Sequence, residues 1–163
     1  MEPLLIQVYE DLIPLASALA QGIFVEYYKP MNGIDHATYM ANKFLSEEAI
    51  NDEIINGTIF KVLFLDRNPI GFTEYKIDND RVFLSKLYMD KDYRNKGYGK
   101  LMLQDCIKYA KNNNKKAIYL TVNKKNKTKD KYLHWGFEII DSVVSDIGNN
   151  YVMDDYIMEL KLG

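Results

Sequence analysis

Three apolar runs separated by two short turns constrain the fold of this chain most strongly. The runs cover residues 59–65, 70–77 and 82–89, and the turns between them are Asp66–Pro69 and Asp78–Asp80. Apolar runs joined by turns rich in Asp, Asn and Pro are typical of neighbouring strands that pair antiparallel. The middle of the chain is therefore predicted to form a three-stranded antiparallel sheet.

Helical and extended patterns flank these three strands. After residue 99, apolar side chains recur at helical spacing and lysines occupy the opposite face, which predicts an amphipathic helix. The predicted order is β, α, α, β, β, β, α, β, α, β, β, and residues 1–163 are expected to form a single mixed α/β domain. The flanking predictions are a strand at Leu4–Tyr9, a helix at Asp11–Tyr28 ending before Pro30, a helical region at Ala37–Ile55, a strand at Ala117–Val122, a short helix at Thr128–Trp135, and strands at Phe137–Asp146 and Val152–Leu160.

Composition narrows the class of protein. The chain has 163 residues, of which 47% are hydrophobic and 27% are charged, as in ordinary globular domains. Its single cysteine, Cys106, cannot form an internal disulfide, and its position on the apolar helix face favours packing. The first residues lack a secretory signal, and the longest apolar stretch, Leu12–Val25, is shorter than the ~20 residues of a membrane span. We therefore expect a cytoplasmic protein without a membrane segment.

Charge is distributed unevenly along the chain. Residues 91–131 hold 13 Lys/Arg against 3 Asp, a net charge of +10, and the other residues carry a net charge of -12. A basic segment attracts anions. Lysines interleaved with tyrosines also raise the possibility of nucleic-acid binding, but a pI of about 5.7 argues against it. We therefore expect a small anionic ligand and no nucleic acid.

The basic segment begins at a glycine-bearing loop between a strand and a helix. Gly97 and Gly99 let the backbone approach a ligand closely, and a helix start offers unpaired N–H groups to phosphate. Arg94, Lys96 and Lys100 add cationic donors. Neither the P-loop nor the dinucleotide-binding fingerprint fits the spacing of these residues. The loop is therefore predicted to bind a phosphate-bearing ligand of another kind.

Three motifs in register carry a family resemblance. They are Arg94-x-x-Gly97-x-Gly99 after an apolar strand, the asparagines of Asn123–Asn126 after the next strand, and Tyr132-x-x-x-Gly136-Phe137. Together they cover about residues 82–140 and resemble the acetyl-coenzyme A signature of the GNAT superfamily of N-acetyltransferases. The spacing from Asn126 to Gly136 is about one residue shorter than is common in that superfamily, so either Asn126 or Asn123 is the functional asparagine.

The resemblance implies a mostly antiparallel, splayed sheet of about seven strands with helices on both faces. It also implies acetyl-CoA as cosubstrate, with no metal. Leu87, Tyr88 and Met89 would pair with the pantetheine arm, which Asn126 would also touch, and Tyr132 would protonate the departing thiolate. The pyrophosphate would rest on the loop formed by Arg94, Asn95, Lys96, Gly97, Tyr98, Gly99 and Lys100.

An acetyl transfer to an amine also needs a proton acceptor, because alkyl amines are mostly protonated at neutral pH. Glu74 is a carboxylate in an apolar strand, on the face expected to carry Ile70 and Phe72, and we predict that it acts as the base through a water molecule. Replacing Glu74 with glutamine should lower the rate most at low pH. The alternatives are a Glu74 at the solvent edge of the strand, or His36 or His134 as the base.

The acidic remainder of the chain favours a cationic acceptor. Asp155-Tyr156-Ile157-Met158 and Lys86-Leu87-Tyr88 look similar to the bacterial spermidine/spermine acetyltransferase branch of the superfamily, which implies a polyamine. A peptide N-terminus, an amino sugar, another metabolite amine or a non-catalytic acyl-CoA sensor are open alternatives, and the terminal strands could pair in a homodimer. Candidate acids along the acceptor approach are Glu26, Glu47, Glu48, Asp52, Glu53, Asp154 and Asp155.

Overall fold

A computed structural model describes residues 2–163, which form one seven-stranded sheet with helices on both faces. The strands are β1 (Pro3–Gln7), β2 (Ile59–Leu65), β3 (Asn68–Asp78), β4 (Arg81–Met89), β5 (Ala117–Asn123), β6 (Glu138–Gly148) and β7 (Tyr151–Lys161). The helices are α1 (Ile13–Asn32), α2 (Ile34–Leu45), α3 (Glu47–Ile55), α4 (Tyr98–Asn112) and α5 (Thr128–His134).

The strand order in the sheet is β1-β2-β3-β4-β5-β7-β6. β2, β3 and β4 form the predicted antiparallel meander, and β4 and β5 make the one parallel pairing in the described sheet. That pairing covers three residue pairs, the last of which joins Phe83 to Tyr119. Beyond it the two strands diverge, so the predicted mostly antiparallel, splayed α/β sheet is confirmed.

A bulge in β4 marks the place where the strands diverge. Tyr75 on β3 faces Leu84, and the next residue back, Glu74, faces Lys86, so Ser85 is an extra residue on β4. Bulges bend a strand and increase its local twist. The bulge therefore accompanies the departure of the end of β4 from β5.

The N-terminal half contains three helices before β2, and not the two that were predicted. α1 continues through Pro30, which interrupts only its last turn, and the helix ends at Gly33, whose φ is +85°. The predicted region from Ala37 to Ile55 divides at Ser46. Ser46 has an extended backbone, and its Oγ accepts a hydrogen bond from the Ala49 N–H at 3.1 Å, so it caps the start of α3.

Two layers of apolar side chains join the helices to the sheet. α1, α2 and α3 cover one face and pack against residues such as Phe60 and Phe72. α4 covers the other face through Met102, Leu103, Cys106 and Ala110, so the predicted buried position of Cys106 is confirmed. No helix among residues 2–163 is long and apolar enough to cross a membrane.

Candidate active site

The divergence of β4 and β5 opens a cavity of about 350 Å³, which we call the cleft. Strand ends form its sides, and the start of α4 and the short helix α5 close it. Ten of the predicted site residues line it: Leu87, Tyr88, Met89, Arg94, Asn95, Gly97, Gly99, Lys100, Asn126 and Tyr132.

The other three predicted site residues do not line the cleft. The Lys96 ammonium lies 5.9 Å from the centre of the Tyr93 ring, and the Tyr98 side chain packs against the core beneath the loop. These two were predicted because they belong to the loop motif, but successive residues of a loop and helix point in different directions. Glu74 is a buried residue of β3 and is described below.

The start of α4 provides the expected anion-binding geometry. Gly97 takes a left-handed backbone with φ of +89°, and the first backbone bond of the helix runs from the Leu101 N–H to the Gly97 carbonyl. The N–H groups at the start of a helix have no helical acceptors. Gly99 lies beside Leu87 and Trp135, which line the cleft. The helix start can therefore hold a phosphate group in the cleft.

Arg94 lies in the cleft but already has a carboxylate partner. Its Nη2 is 2.8 Å from Oε1 of Glu26 on α1, and its Nε donates a hydrogen bond to the Met89 carbonyl at 3.1 Å. The guanidinium also lies over the Tyr27 ring, 5.0 Å from its centre. The arginine is thus held in place by α1, and Glu26 offsets part of the positive charge of the loop.

Three buried or half-buried tyrosines, Tyr28, Tyr88 and Tyr132, line the cleft. The hydroxyls of Tyr28 and Tyr88 are 2.7 Å apart, and Tyr132 lies against Trp135 and Phe137. Burial raises the pKa of Tyr28, Tyr88 and Tyr132 above the usual value, so these hydroxyls stay protonated and can donate hydrogen bonds. Tyr28 was not predicted, because α1 is distant in the chain from the motifs that identify the site.

The structure separates the two candidate asparagines. Asn126 is buried and lines the cleft, where its Oδ1 accepts hydrogen bonds from the Tyr27 hydroxyl at 2.7 Å and the Thr128 N–H at 2.9 Å. Asn123 lines a neighbouring cavity, and its Oδ1 accepts from the Lys125 N–H. Asn126 is therefore the asparagine within reach of a ligand in the cleft.

That neighbouring cavity, the side cavity, has a volume of about 250 Å³ and lies beneath α1, α2 and α3. It adjoins the cleft, because Tyr28, Ser85, Lys86, Tyr88 and Thr121 line both. Its other walls combine aromatic rings with polar groups: Phe24, Phe44, Phe83, Asn32, His36, Glu53 and Asp155. A ligand in the side cavity can therefore meet a ligand in the cleft at the bulge of β4.

Glu74 lies behind this bulge and is completely buried. Its Oε2 is 3.7 Å from the Lys86 ammonium and 3.5 Å from the Ser85 hydroxyl, and its Oε1 has no hydrogen-bond partner among residues 2–163. Burial raises the pKa of Glu74 to about 8. The nearby Lys86 ammonium opposes this increase, and Glu53 adds to it. The alternative of a solvent-edge position is wrong. Glu74 lines neither cavity itself, whereas Glu53, Ser85 and Lys86 line the side cavity.

The neighbours of Glu74 on β3 differ from the prediction. Phe72 packs on the face of the sheet that α1, α2 and α3 cover, and Glu74 lies on the same face, near Glu53 of α3. Ile70 instead packs on the opposite face, against Met102 of α4. The reason is a second bulge: Pro69 pairs with Phe64 and Gly71 pairs with Leu63, so Ile70 is an extra residue. A bulge reverses the alternation of faces, which a strict period of two cannot anticipate.

Comparison with known proteins decides the family. Residues 23–137 match the family model described as the acetyltransferase (GNAT) family. The chain belongs to the GNAT family. The predicted family and the expected acetyl-CoA-dependent N-acetyltransferase activity are thereby confirmed.

Individual relatives of this GNAT chain agree with that assignment. It is 27% identical over 129 residues to the spermidine N(1)-acetyltransferase of Thermoplasma acidophilum, which covers 76% of this chain and 74% of the relative. Its fold matches the PaiA N-acetyltransferase of the same organism, solved with coenzyme A, with a TM-score of 0.85 and 23% identity over 99% of this chain and 100% of the other. The ribosomal-protein-S18-alanine N-acetyltransferase of Escherichia coli matches with a TM-score of 0.68 and 16% identity, over 99% and 95%.

The acidic residues of this GNAT chain divide into distinct groups. Glu53 and Asp155 line the side cavity. Burial and the neighbouring Asp154 raise the pKa of Asp155 to about 6, although Lys124 has the opposite effect. Glu26 pairs with Arg94, and Asp154 pairs with Lys124 at 3.0 Å. The predicted acids that are exposed and line neither the cleft nor the side cavity are Glu47, Glu48 and Asp52.

The two histidines occupy different cavities. His36 lines the side cavity and stacks on Tyr151, with ring centres 4.3 Å apart. Burial and the nearby Lys125 lower its pKa, so the ring is neutral at pH 7. His134 is exposed at the end of α5 and lines the cleft. Of the two histidines, only His36 therefore lines the side cavity.

Proposed function

We propose that this GNAT protein transfers the acetyl group of acetyl-CoA to a primary amine of a small molecule, with a polyamine as the preferred acceptor. The observation that carries the proposal is the meeting of two cavities of opposite character at the β4 bulge. The cleft has a basic, glycine-bearing mouth, whereas the side cavity has aromatic walls and two carboxylates. The spermidine acetyltransferase relative supports the polyamine.

The cleft suits the carrier portion of acetyl-CoA. Beyond Phe83, β4 has no partner strand on the side of β5, so the backbone groups of residues 87–89 that point to that side are available to an extended pantetheine arm, apart from the Met89 carbonyl that accepts from Arg94. The phosphates would lie at the start of α4, beside Arg94 and Lys100. Asn126 would meet the arm from the opposite wall. This arrangement would bring the thioester to the tyrosines at the junction of the two cavities.

The reaction requires direct attack of the amine nitrogen on the thioester carbonyl. The acceptor ammonium loses one proton before it attacks, and then a C–N bond forms as the C–S bond breaks. The nitrogen loses a second proton after the attack, and a proton added to the departing thiolate gives the thiol of coenzyme A. In our proposal the proton passes to Glu74 through Glu53 or a water molecule. A pKa of about 8 suits a proton acceptor near neutral pH, since it is close to the operating pH.

The leaving thiolate needs a hydrogen-bond donor, and we assign this role to Tyr132. Tyr132 lines the cleft, and its raised pKa keeps the O–H intact. A charged acceptor such as a thiolate strengthens a hydrogen bond. Tyr132 would therefore stabilise the sulfur as negative charge develops on it.

An acceptor screen tests the proposed function. Thiol release from acetyl-CoA should be measured with polyamines, amino acids, peptides and amino sugars as acceptors, and coenzyme A binding should be measured by calorimetry. We expect the highest kcat/KM for polyamines. A preference for peptides or amino sugars would contradict the acceptor class. Tight coenzyme A binding without acceptor-dependent thiol release would instead indicate a non-catalytic acyl-CoA sensor.

We also propose a homodimer formed along β6. This strand is the outer edge of the sheet, and it exposes Ile139, Ile140, Val143 and Val144. An exposed strand edge is a template for pairing with another chain. Sedimentation velocity tests this: we expect a dimer that Val144→Lys dissociates, and a monomeric wild type would contradict it.

A further inference from the structure

Asp155 on β7 is a buried carboxylate that lacks a cation. It is 4% exposed and lines the side cavity. The ion pairs within residues 2–163 give cations to other shielded acids: Glu74 pairs with Lys86, Asp105 with Lys61, and Glu159 with Arg81. No ion pair in that part of the chain includes Asp155. Burying an uncompensated charge costs free energy, so the position calls for a partner from outside the chain.

Asp155 on β7 pairs with Asn123 on β5, and the next residue of the chain, Lys124, already has an acidic partner. Successive side chains of a strand point to opposite faces, so Asp154 points away from the side cavity. Its carboxylate holds the Lys124 ammonium at 3.0 Å, and this ammonium also lies 5.5 Å from the centre of the Tyr156 ring. The Lys124 ammonium therefore forms its ion pair with Asp154 and not with Asp155.

Two further polar groups of the side cavity are also without partners. Nε2 of His36 and Nδ2 of Asn32 are buried and make no hydrogen bond to any residue in the described range 2–163. A neutral imidazole can accept a hydrogen bond, and an asparagine amide can turn to present its oxygen. Buried polar atoms without partners are rare in native proteins. Their grouping with Asp155 around one cavity indicates a ligand with several donors.

The ligand that satisfies this set is an ammonium group. An ammonium carries three donors and one positive charge, which match one carboxylate and two neutral acceptors. The aromatic rings of Phe24, Phe44 and Phe83 also line the cavity and suit the methylene chain of such a ligand. The other end of the chain would reach Tyr28 and Tyr88, where the cleft begins.

We propose that Asp155, together with His36 and Asn32, binds a second ammonium group of the acceptor, so that the enzyme selects aliphatic diamines and longer polyamines over monoamines. This inference rests on the proposed function. It adds to that function a specificity-determining residue at a distance from the reacting amine.

The test compares two acceptors that differ in one charge. Steady-state thiol release from acetyl-CoA should be measured with 1,4-diaminobutane and with butylamine, for the wild type, Asp155→Asn and the matched control Asp154→Asn. We expect the wild-type kcat/KM for the diamine to exceed that for the monoamine about tenfold to a hundredfold, the range expected for a hydrogen bond to a charged group. Asp155→Asn should abolish this preference, mainly through KM, and Asp154→Asn should preserve it.

A stability measurement separates this role from a structural one. Since Asp155→Asn removes an uncompensated buried charge, the variant should have a higher Tm than the wild type at pH 8 without ligand, and 1,4-diaminobutane should raise the Tm of the wild type alone. If Asp155→Asn does not fold, the same comparison is made with Asn32→Ala, which removes another proposed ligand of the second ammonium group. A preference for the diamine as large as that of the wild type would overturn the inference.

The possible failures are distinguishable. If the wild type uses both amines equally well, or if Asp155→Asn affects both equally, this inference is overturned while acetyl transfer to amines stands. If no amine increases thiol release although coenzyme A binds, the proposed function is overturned, and the ammonium subsite with it.

Discussion

Replacing Glu74 with glutamine should remove a large pH dependence of stability. The folded protein raises the pKa of this carboxyl from 4.5 to about 8 because it is buried. Between these pH values the folded state binds a proton that the unfolded state has released, so stability falls as pH rises and the loss is complete above pH 8. At 1.36 kcal/mol per pKa unit, the loss is at most about 5 kcal/mol. Glu74→Gln keeps the shape of the side chain but cannot ionise.

Urea unfolding measured from pH 5 to pH 9 tests this expectation. Trp135, the single tryptophan, is half-buried and provides the fluorescence signal. The free energy of unfolding of Glu74→Gln, relative to that of the wild type, should increase with pH and level off above pH 8. Glu138→Gln makes the same chemical change at an exposed position of β6 and should parallel the wild type. Parallel curves for the wild type and Glu74→Gln would show that the folded protein does not raise the pKa of this carboxyl.

The same pKa sets the sign of the kinetic effect. The sequence predicts the largest effect of Glu74→Gln at low pH, but a carboxyl with a pKa of about 8 is protonated there and accepts a proton only as pH rises. Glu74→Gln should therefore lower kcat/KM most at and above pH 8, by about 10²-fold to 10⁴-fold if Glu74 is the general base. A ratio of wild-type to variant kcat/KM that does not change with pH would exclude Glu74 as the proton acceptor.

Three further substitutions test the cleft and its support. Tyr132→Phe should lower kcat about 100-fold without changing the Kd for coenzyme A in calorimetry, because the departing thiolate loses a hydrogen-bond donor; an unchanged kcat would contradict this role. Glu26→Gln should tighten coenzyme A binding about threefold, because it releases the Arg94 guanidinium from a half-exposed ion pair; weaker binding would show that the pair orients the arginine instead. Gly71→Ala should destabilise the fold by about 1–3 kcal/mol in urea unfolding, because the new Cβ would lie 2.8 Å from the Tyr88 carbonyl oxygen; an unchanged midpoint would contradict the close packing.

The sequence was sufficient for features that depend on near neighbours in the chain. The apolar runs and turns of β2, β3 and β4, the amphipathic face of α4 and the glycines of the loop at 97 and 99 are all local patterns, and each predicted its element correctly. The loop chemistry and two motifs downstream were also enough to identify the family. The prediction that α1 ends before Pro30 is wrong, also for a local reason. A proline in the last turn of a helix disturbs few hydrogen bonds, so the helix continues to Asn32.

The tertiary structure alone decided which side chains share a cavity. Bulges at Ile70 and Ser85 change the faces of β3 and β4, and a strict alternation of faces cannot predict them. Tyr28 comes to the cleft from α1, and Asp155 comes to the side cavity from β7. A period or a motif is fixed by residues a few positions apart, whereas the burial and charge of a side chain depend on segments that meet only when the sheet and helices pack together.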